Sequence, residues 1–151
     1  MNADEHRAQA VDANNSTWEL LDGRDYTPAD VDELLGRAYA ASFHWSRATG
    51  RTPANDARAS WLLSRCHAVL GQGDLALHHA DRCAGHVAAG GLTDFDLGYA
   101  HEARARALAC LGRREEALTE RDLAAAVEIG EDEDREIFVA DLAAEPWFGV
   151  V

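Results

Sequence analysis

Seven histidines and three cysteines in a chain of 151 residues are the side chains with the most capacity for chemistry. His79 and Cys83 are four positions apart, one turn of a helix, so both can reach a single transition-metal ion. His44, with His67 or His101, and Glu102 would supply further ligands from neighbouring helices, as helix bundles do when they build metal sites. The set His44, His79, Cys83 and Glu102 is therefore the metal-binding, or metal-dependent enzyme, reading of this chain. The spacings that would sharpen it are absent: there is no His-Glu-x-x-His, Glu-x-x-His or Cys-x-x-Cys. Against it, a histidine among apolar neighbours serves more often as a hydrogen-bonded core residue, and a buried cysteine behaves as a small hydrophobe.

Other constellations point to acid/base work. Asp94, Asp96, His101 and Glu102 crowd one helix and its start, and an aspartate–histidine pair in a pocket can move protons. The two aspartates are also ordinary helix-start residues, and His101 and Glu102, being adjacent, point in different directions. His44-Trp45 offers a pocket wall, or else a packed indole beside an imidazole that favours a helix's carbonyl end. Gly-x-Ser-x-Gly, the phosphate-binding loop and Gly-x-Gly-x-x-Gly do not occur.

Composition narrows the partners. Fourteen basic against 27 acidic residues give a net charge of −13, which repels a phosphate backbone and excludes nucleic acid as the expected ligand. An odd number of cysteines without paired spacing or a secretory leader predicts a reduced, cytoplasmic protein. No stretch approaches the roughly 18 apolar residues of a membrane span, and the acidic helices lack the basic face of a membrane-surface binder.

The elements that must position these residues are helical. Alanine and leucine far outnumber the β-branched residues, and only three prolines interrupt the chain. Residues 1–26 are polar and are expected to be loosely ordered, with a short helix from Ser16 that docks Trp18, Leu20 and Leu21. The remainder, 27–151, is predicted to be one helical domain. Thr27-Pro28 starts a helix that runs to about Thr49, and Asn55 or Thr52 caps the next. A hairpin then spans about 56–89, with its turn at Gly71-Gln72-Gly73 and its end fraying at Gly85, Gly90 and Gly91. Thr93 or Asp94 starts a helix to Leu111, Gly112-Arg113-Arg114 turns it, and a helix over 115–129 closes a second hairpin. A last helix, opened by the acidic run at 131–134, reaches Ala144. Beyond Pro146, Trp147 and Phe148 fold back onto the body.

The two hairpins are copies. Each first helix ends at Leu-Gly (Leu70-Gly71, Leu111-Gly112), the two turns are 41 residues apart, and an alanine follows each glycine after five residues (Ala76, Ala117). Small residues recur further on at Ala80, Cys83 and Ala124, while Arg121 and His67 depart from the pattern. Over about residues 56–129 the chain resembles the tetratricopeptide-repeat (TPR) family, whose standard repeat is about 34 residues. The resemblance implies an all-α fold of antiparallel helical hairpins, stacked as a short TPR-like α-solenoid with flanking capping helices. It also implies that the first helix of each hairpin lines a concave surface. Carried over by position, that surface holds Arg58, Trp61 and Arg65 from the first hairpin and Tyr99, Glu102 and Arg106 from the second, with Trp45 closing one side.

Three arginines and two aromatics on one inner face would suit a carboxylate or phosphate, because guanidinium forks bind such groups bidentately. The alternative is that the arginines pair with Asp56, Glu102 and their neighbours as a solvated network, with Trp61 and Tyr99 as core. The expectation is therefore a non-catalytic adaptor without a cofactor. It would bind a protein or peptide segment with an anionic end, or a small anionic ligand, or it would bury the groove in a homodimer.

Overall fold

The computed structural model describes residues 1–151. Seven helices and no strand make up the chain: α1 (Ala3–Leu20), α2 (Pro28–Trp45), α3 (Pro53–Val69), α4 (Gly73–Gly90), α5 (Asp94–Cys110), α6 (Arg114–Ala126) and α7 (Asp132–Ala143). The first six pair as antiparallel hairpins, α1/α2, α3/α4 and α5/α6, stacked in chain order, and α7 packs on α5 as a cap.

The hairpin turns follow from glycine's access to positive φ. Gly71 (φ +75°) and Gly112 (φ +74°) each end a helix in the left-handed region. Around them Gln72 N–H donates to the His67 carbonyl and Arg113 N–H to the Leu108 carbonyl, both at 2.9 Å. This is the Schellman closure, which satisfies the last carbonyls of a helix. The same closure recurs at Gly91 (φ +60°), where Leu92 N–H reaches the Val87 carbonyl at 2.9 Å. Helix α4 thus continues through Gly85 and Gly90 and stops sharply at Gly91, where the sequence suggested fraying.

Helix starts are equally local. Thr27 and Thr52 each cap their helix reciprocally with Asp30 and Asn55, and each is followed by proline at the first position. Asp94 starts α5 differently. With φ +60°, its carboxylate accepts from Phe95 N–H at 2.6 Å and from Gly130 N–H at 2.9 Å, which fastens the α6–α7 link to the head of α5.

The N-terminal segment differs from the expectation. Residues 3–20, predicted to be loosely ordered with a short helix from Ser16, form an 18-residue helix. Its start is fixed by a capping box at Asn2 and Glu5. It carries almost no apolar stripe: its fully buried side chains are the small Ala10 and Thr17, while Leu20 and Leu21 pack against the core and Trp18 stacks on Trp61, as expected of them. The Arg7 guanidinium also lies 5.2 Å from the Trp45 ring centre.

The core is alanine-rich and centred on α3 and α5, whose buried positions run nearly all round the helix: Ala57, Trp61, Leu62, Cys66 on α3 and Tyr99, Ala103, Ala107, Leu108 on α5. Small side chains there let neighbouring hairpins approach closely, so a single added methylene is felt. At the C-terminal end Trp147 folds back and is 1% exposed, its indole N–H donating to the Leu142 carbonyl at 3.0 Å. Phe148, expected to fold back with it, is 40% exposed.

Candidate functional site

The four metal candidates are not brought together. His44 Nδ1 is 2.8 Å from His6 Nδ1 on α1. His79 Nε2 lies 3.2 Å from the Tyr39 hydroxyl, stacked beside His67 with ring centres 5.5 Å apart. Cys83 is buried in the core, where burial pushes its thiol up to about 12 and away from the thiolate a metal needs. Glu102 is consumed by three donors described below. No three histidine, cysteine, aspartate or glutamate side chains in the structure converge as ligands. The metal set fails because the side chains that share a helix turn in sequence face different neighbours once the hairpins stack.

The acid/base set is dispersed as well. Asp94 holds Gly130, Asp96 pairs with Arg58, and His101 Nδ1 is 2.8 Å from Glu120.

What the fold does build is a cavity of about 580 Å³ on the face made by the odd-numbered helices. Trp18 with Asn14 and Asn15 comes from α1, Arg58 and Trp61 from α3, Phe95, Asp96 and Tyr99 from α5, and Ile137 and Asp141 from α7; Trp45 of α2 and Cys83 of α4 also line it. Trp18 stacks on Trp61 at 5.3 Å between ring centres, and Tyr99 meets Trp61 edge-on at the same distance. Such a volume, with an apolar lining and a few polar groups, is of the size that holds a ligand.

Of the seven groove candidates, Trp45, Arg58, Trp61 and Tyr99 line this cavity, whereas Arg65, Glu102 and Arg106 do not. Those three form a buried network beneath it. Glu102 Oε2 accepts from the Trp61 indole N–H at 2.7 Å, and its Oε1 accepts from Arg65 Nη1 and Arg106 Nε, both at 2.8 Å. Glu102 and Arg106 are each 1% exposed and Arg65 11%. Arg106 then donates to the carbonyls of Asp141, Ala144 and Pro146 at 2.8 to 2.9 Å and lies 4.2 Å from the Trp147 ring centre. Arg121 lies 5.0 Å from the same ring. The two departures from the repeat pattern are thus both in use: Arg121 against Trp147, and His67 against the Tyr39 hydroxyl at 2.9 Å.

One arginine therefore borders the cavity where the sequence suggested three. Arg58 is 57% exposed and held by Asp96 through two hydrogen bonds of 3.0 and 3.2 Å. Tyr99 donates its hydroxyl to Asp141 Oδ2, and burial together with that carboxylate holds the phenol above its ordinary range. The sequence reading missed the contribution of α1, which supplies Trp18 and both asparagines, because α1 was not expected to be a full helix.

No protein-family model matches the chain, and no curated protein matches it in sequence. Among solved structures it is similar to a TPR-like protein from Chlorobium tepidum, at a TM-score of 0.65 and 22% identity over 92% of this chain and 95% of that one. The likeness is one of fold, and it agrees with the hairpin geometry: the chain is an all-α helical repeat of TPR-like architecture. No helix is long and apolar enough to cross a membrane.

Proposed function

We propose that this chain is a non-catalytic helical-repeat adaptor, cytoplasmic, whose concave cavity receives a segment of a partner protein. The observation that carries the reading is the cavity itself, about 580 Å³ bounded by all four odd-numbered helices and walled by Trp18, Trp45, Trp61, Phe95 and Tyr99. Large aromatics in a concave, partly solvated site supply binding area at little cost in conformational entropy. Recognition is favoured over chemistry because the reactive groups at the cavity are committed elsewhere. Asp96 is paired with Arg58, Asp141 accepts from Tyr99, and the Cys83 thiol is held protonated by burial.

A photo-crosslinking amino acid placed at Asn15, inside the cavity, is expected to capture a defined partner in cells, and the same group at exposed Leu123, outside it, is not. Capture from Asn15 should also be lost on Trp61→Ala. Equal capture from both positions, or capture indifferent to Trp61, would overturn the adaptor reading.

A further inference from the structure

Residues 3–9 of α1 bury no apolar side chain; the first buried residue of the helix is Ala10. What holds these first two turns to the body is polar. Thr49 N–H donates to the Ala3 carbonyl at 3.1 Å, Arg7 Nη1 donates to the Thr49 carbonyl at 3.0 Å, and His6 meets His44 of α2, Nδ1 to Nδ1, at 2.8 Å. Of these three, the histidine contact alone depends on how many protons its partners carry.

At that distance two imidazole nitrogens need one hydrogen between them, one ring donating and the other accepting through its lone pair. The ring centres are 5.1 Å apart, close to the greatest separation that the nitrogen contact allows. The rings therefore meet head-on, and their lone pairs do not converge on a third point where an ion would sit. A pair that carries no extra proton, or one, keeps the shared hydrogen. A pair that carries two sets N–H against N–H, with no room for both hydrogens at 2.8 Å, and the contact has to part.

The surroundings offer the second proton little help. Facing His6 are Glu5 on its own helix, the N-terminal amino group, and Arg47 just beyond α2. Beside His44, Asp12 of α1 and Glu33 and Arg37 of α2 line one hollow, with Arg37 bonded to Glu33. No carboxylate lies within ion-pair distance of either ring; the chain's one histidine–carboxylate pair is His101 with Glu120. Loss of water contact, then His44, Arg47 and the amino group, hold the His6 imidazole below its ordinary value of 6.5, and Glu5 opposes them.

We infer that His6 and His44 form a proton-counting clasp, which seats the first two turns of α1 on the end of α2 while one hydrogen lies between the rings and releases them when each ring brings its own. Seating is fully present above the ordinary imidazole value and is lost as pH falls below it. The clasp reaches the cavity through one neighbour: the Arg7 guanidinium lies 5.2 Å from the ring centre of Trp45, which lines the cavity. It is independent of what the cavity binds.

Hydrogen exchange of the amides of residues 6–9, corrected for the intrinsic effect of pH, reports whether these turns are seated, because an undocked helix end frays. Between pH about 7.5 and about 5 their protection is expected to fall about tenfold, since the released turns take a second proton that the clasp refuses. His44→Asn puts an amide oxygen near the Nδ1 position, where it accepts from His6 Nδ1 in either charge state. The fall should vanish in that variant, which leaves His79 in place, and it should vanish likewise in His6→Asn. An equal fall in the parent and both variants would overturn the inference. So would protection in the parent that does not change with pH, which would mean that the rings part while the helix stays seated.

Discussion

The indole N–H of Trp61 and the carboxylate of Glu102 are joined at 2.7 Å, so the wall of the cavity and the clamp on the C-terminal tail share one buried anion. Glu102 also receives Arg65 and Arg106, and its single charge partly neutralises two guanidiniums that are almost wholly removed from water. Removing one member of such a set leaves an uncompensated buried charge, which costs about 3 to 5 kcal/mol. Glu102→Gln, which keeps the shape and removes the charge, should therefore lower the free energy of urea unfolding by about that amount. A loss below about 1 kcal/mol would show that the network contributes little.

The tail is expected to be part of the folded body and not an appendage. Trp147 is buried with the Arg106 and Arg121 guanidiniums beside its ring, and Trp147→Ala should destabilise by about 3 to 5 kcal/mol. Thermal unfolding followed by circular dichroism checks this, and an unchanged midpoint would contradict the packing described.

Two glycines of one helix should respond in opposite directions. At Gly85 an added Cβ meets nothing within 4 Å, so Gly85→Ala should stabilise by about 0.5 to 1 kcal/mol through the unfolded chain's lost freedom. At Gly90 the Cβ would come within 2.5 Å of Pro53 Cβ. The proline ring cannot swing aside, so Gly90→Ala should cost about 1 to 3 kcal/mol. Urea unfolding of the two variants side by side decides it.

Acid should weaken the junction of the first two hairpins. Burial is the main cause that pushes the His79 imidazole down to about 4, and His67, His78 and Arg82 add to it. The folded state thus refuses a proton that the unfolded chain accepts at its ordinary value of 6.5. The stability contributed by neutral His79 is fully present above that ordinary value and is lost as pH falls towards about 4. With allowance for solvent contact, the loss is about 1 to 2 kcal/mol. Between pH about 7.5 and about 5, the parent protein should lose more stability than His79→Gln, whose side chain does not titrate; equal losses in the two would remove His79 as the cause.

The second and third hairpins were legible in the sequence because their turns need a backbone conformation that glycine supplies, and Gly71 and Gly112 mark it 41 residues apart. Of the first hairpin, α2 was legible from Thr27-Pro28, but α1 was not, because its buried side chains are the small Ala10 and Thr17 and its contacts include polar ones such as His6 with His44, none of which leaves a helical stripe of large apolar residues. At the candidate site, register alone placed Arg58, Trp61 and Tyr99 on the inner face. It could not separate them from Arg65 and Arg106, since what removes those two is contact across the fold: a shared carboxylate, and tail carbonyls some 35 to 40 residues away. Pairing between Glu102 and Arg106 is visible as an i, i+4 spacing, but its burial is not.

Trp18 and Trp61 face each other across two different hairpins, 5.3 Å apart and 21° from parallel. The cavity wall is therefore a seam between hairpins and belongs to neither alone. A cut or destabilising change that frees α1 from the stack would leave Trp61 without its stacking partner, so the wall lasts only as long as the N-terminal hairpin stays docked.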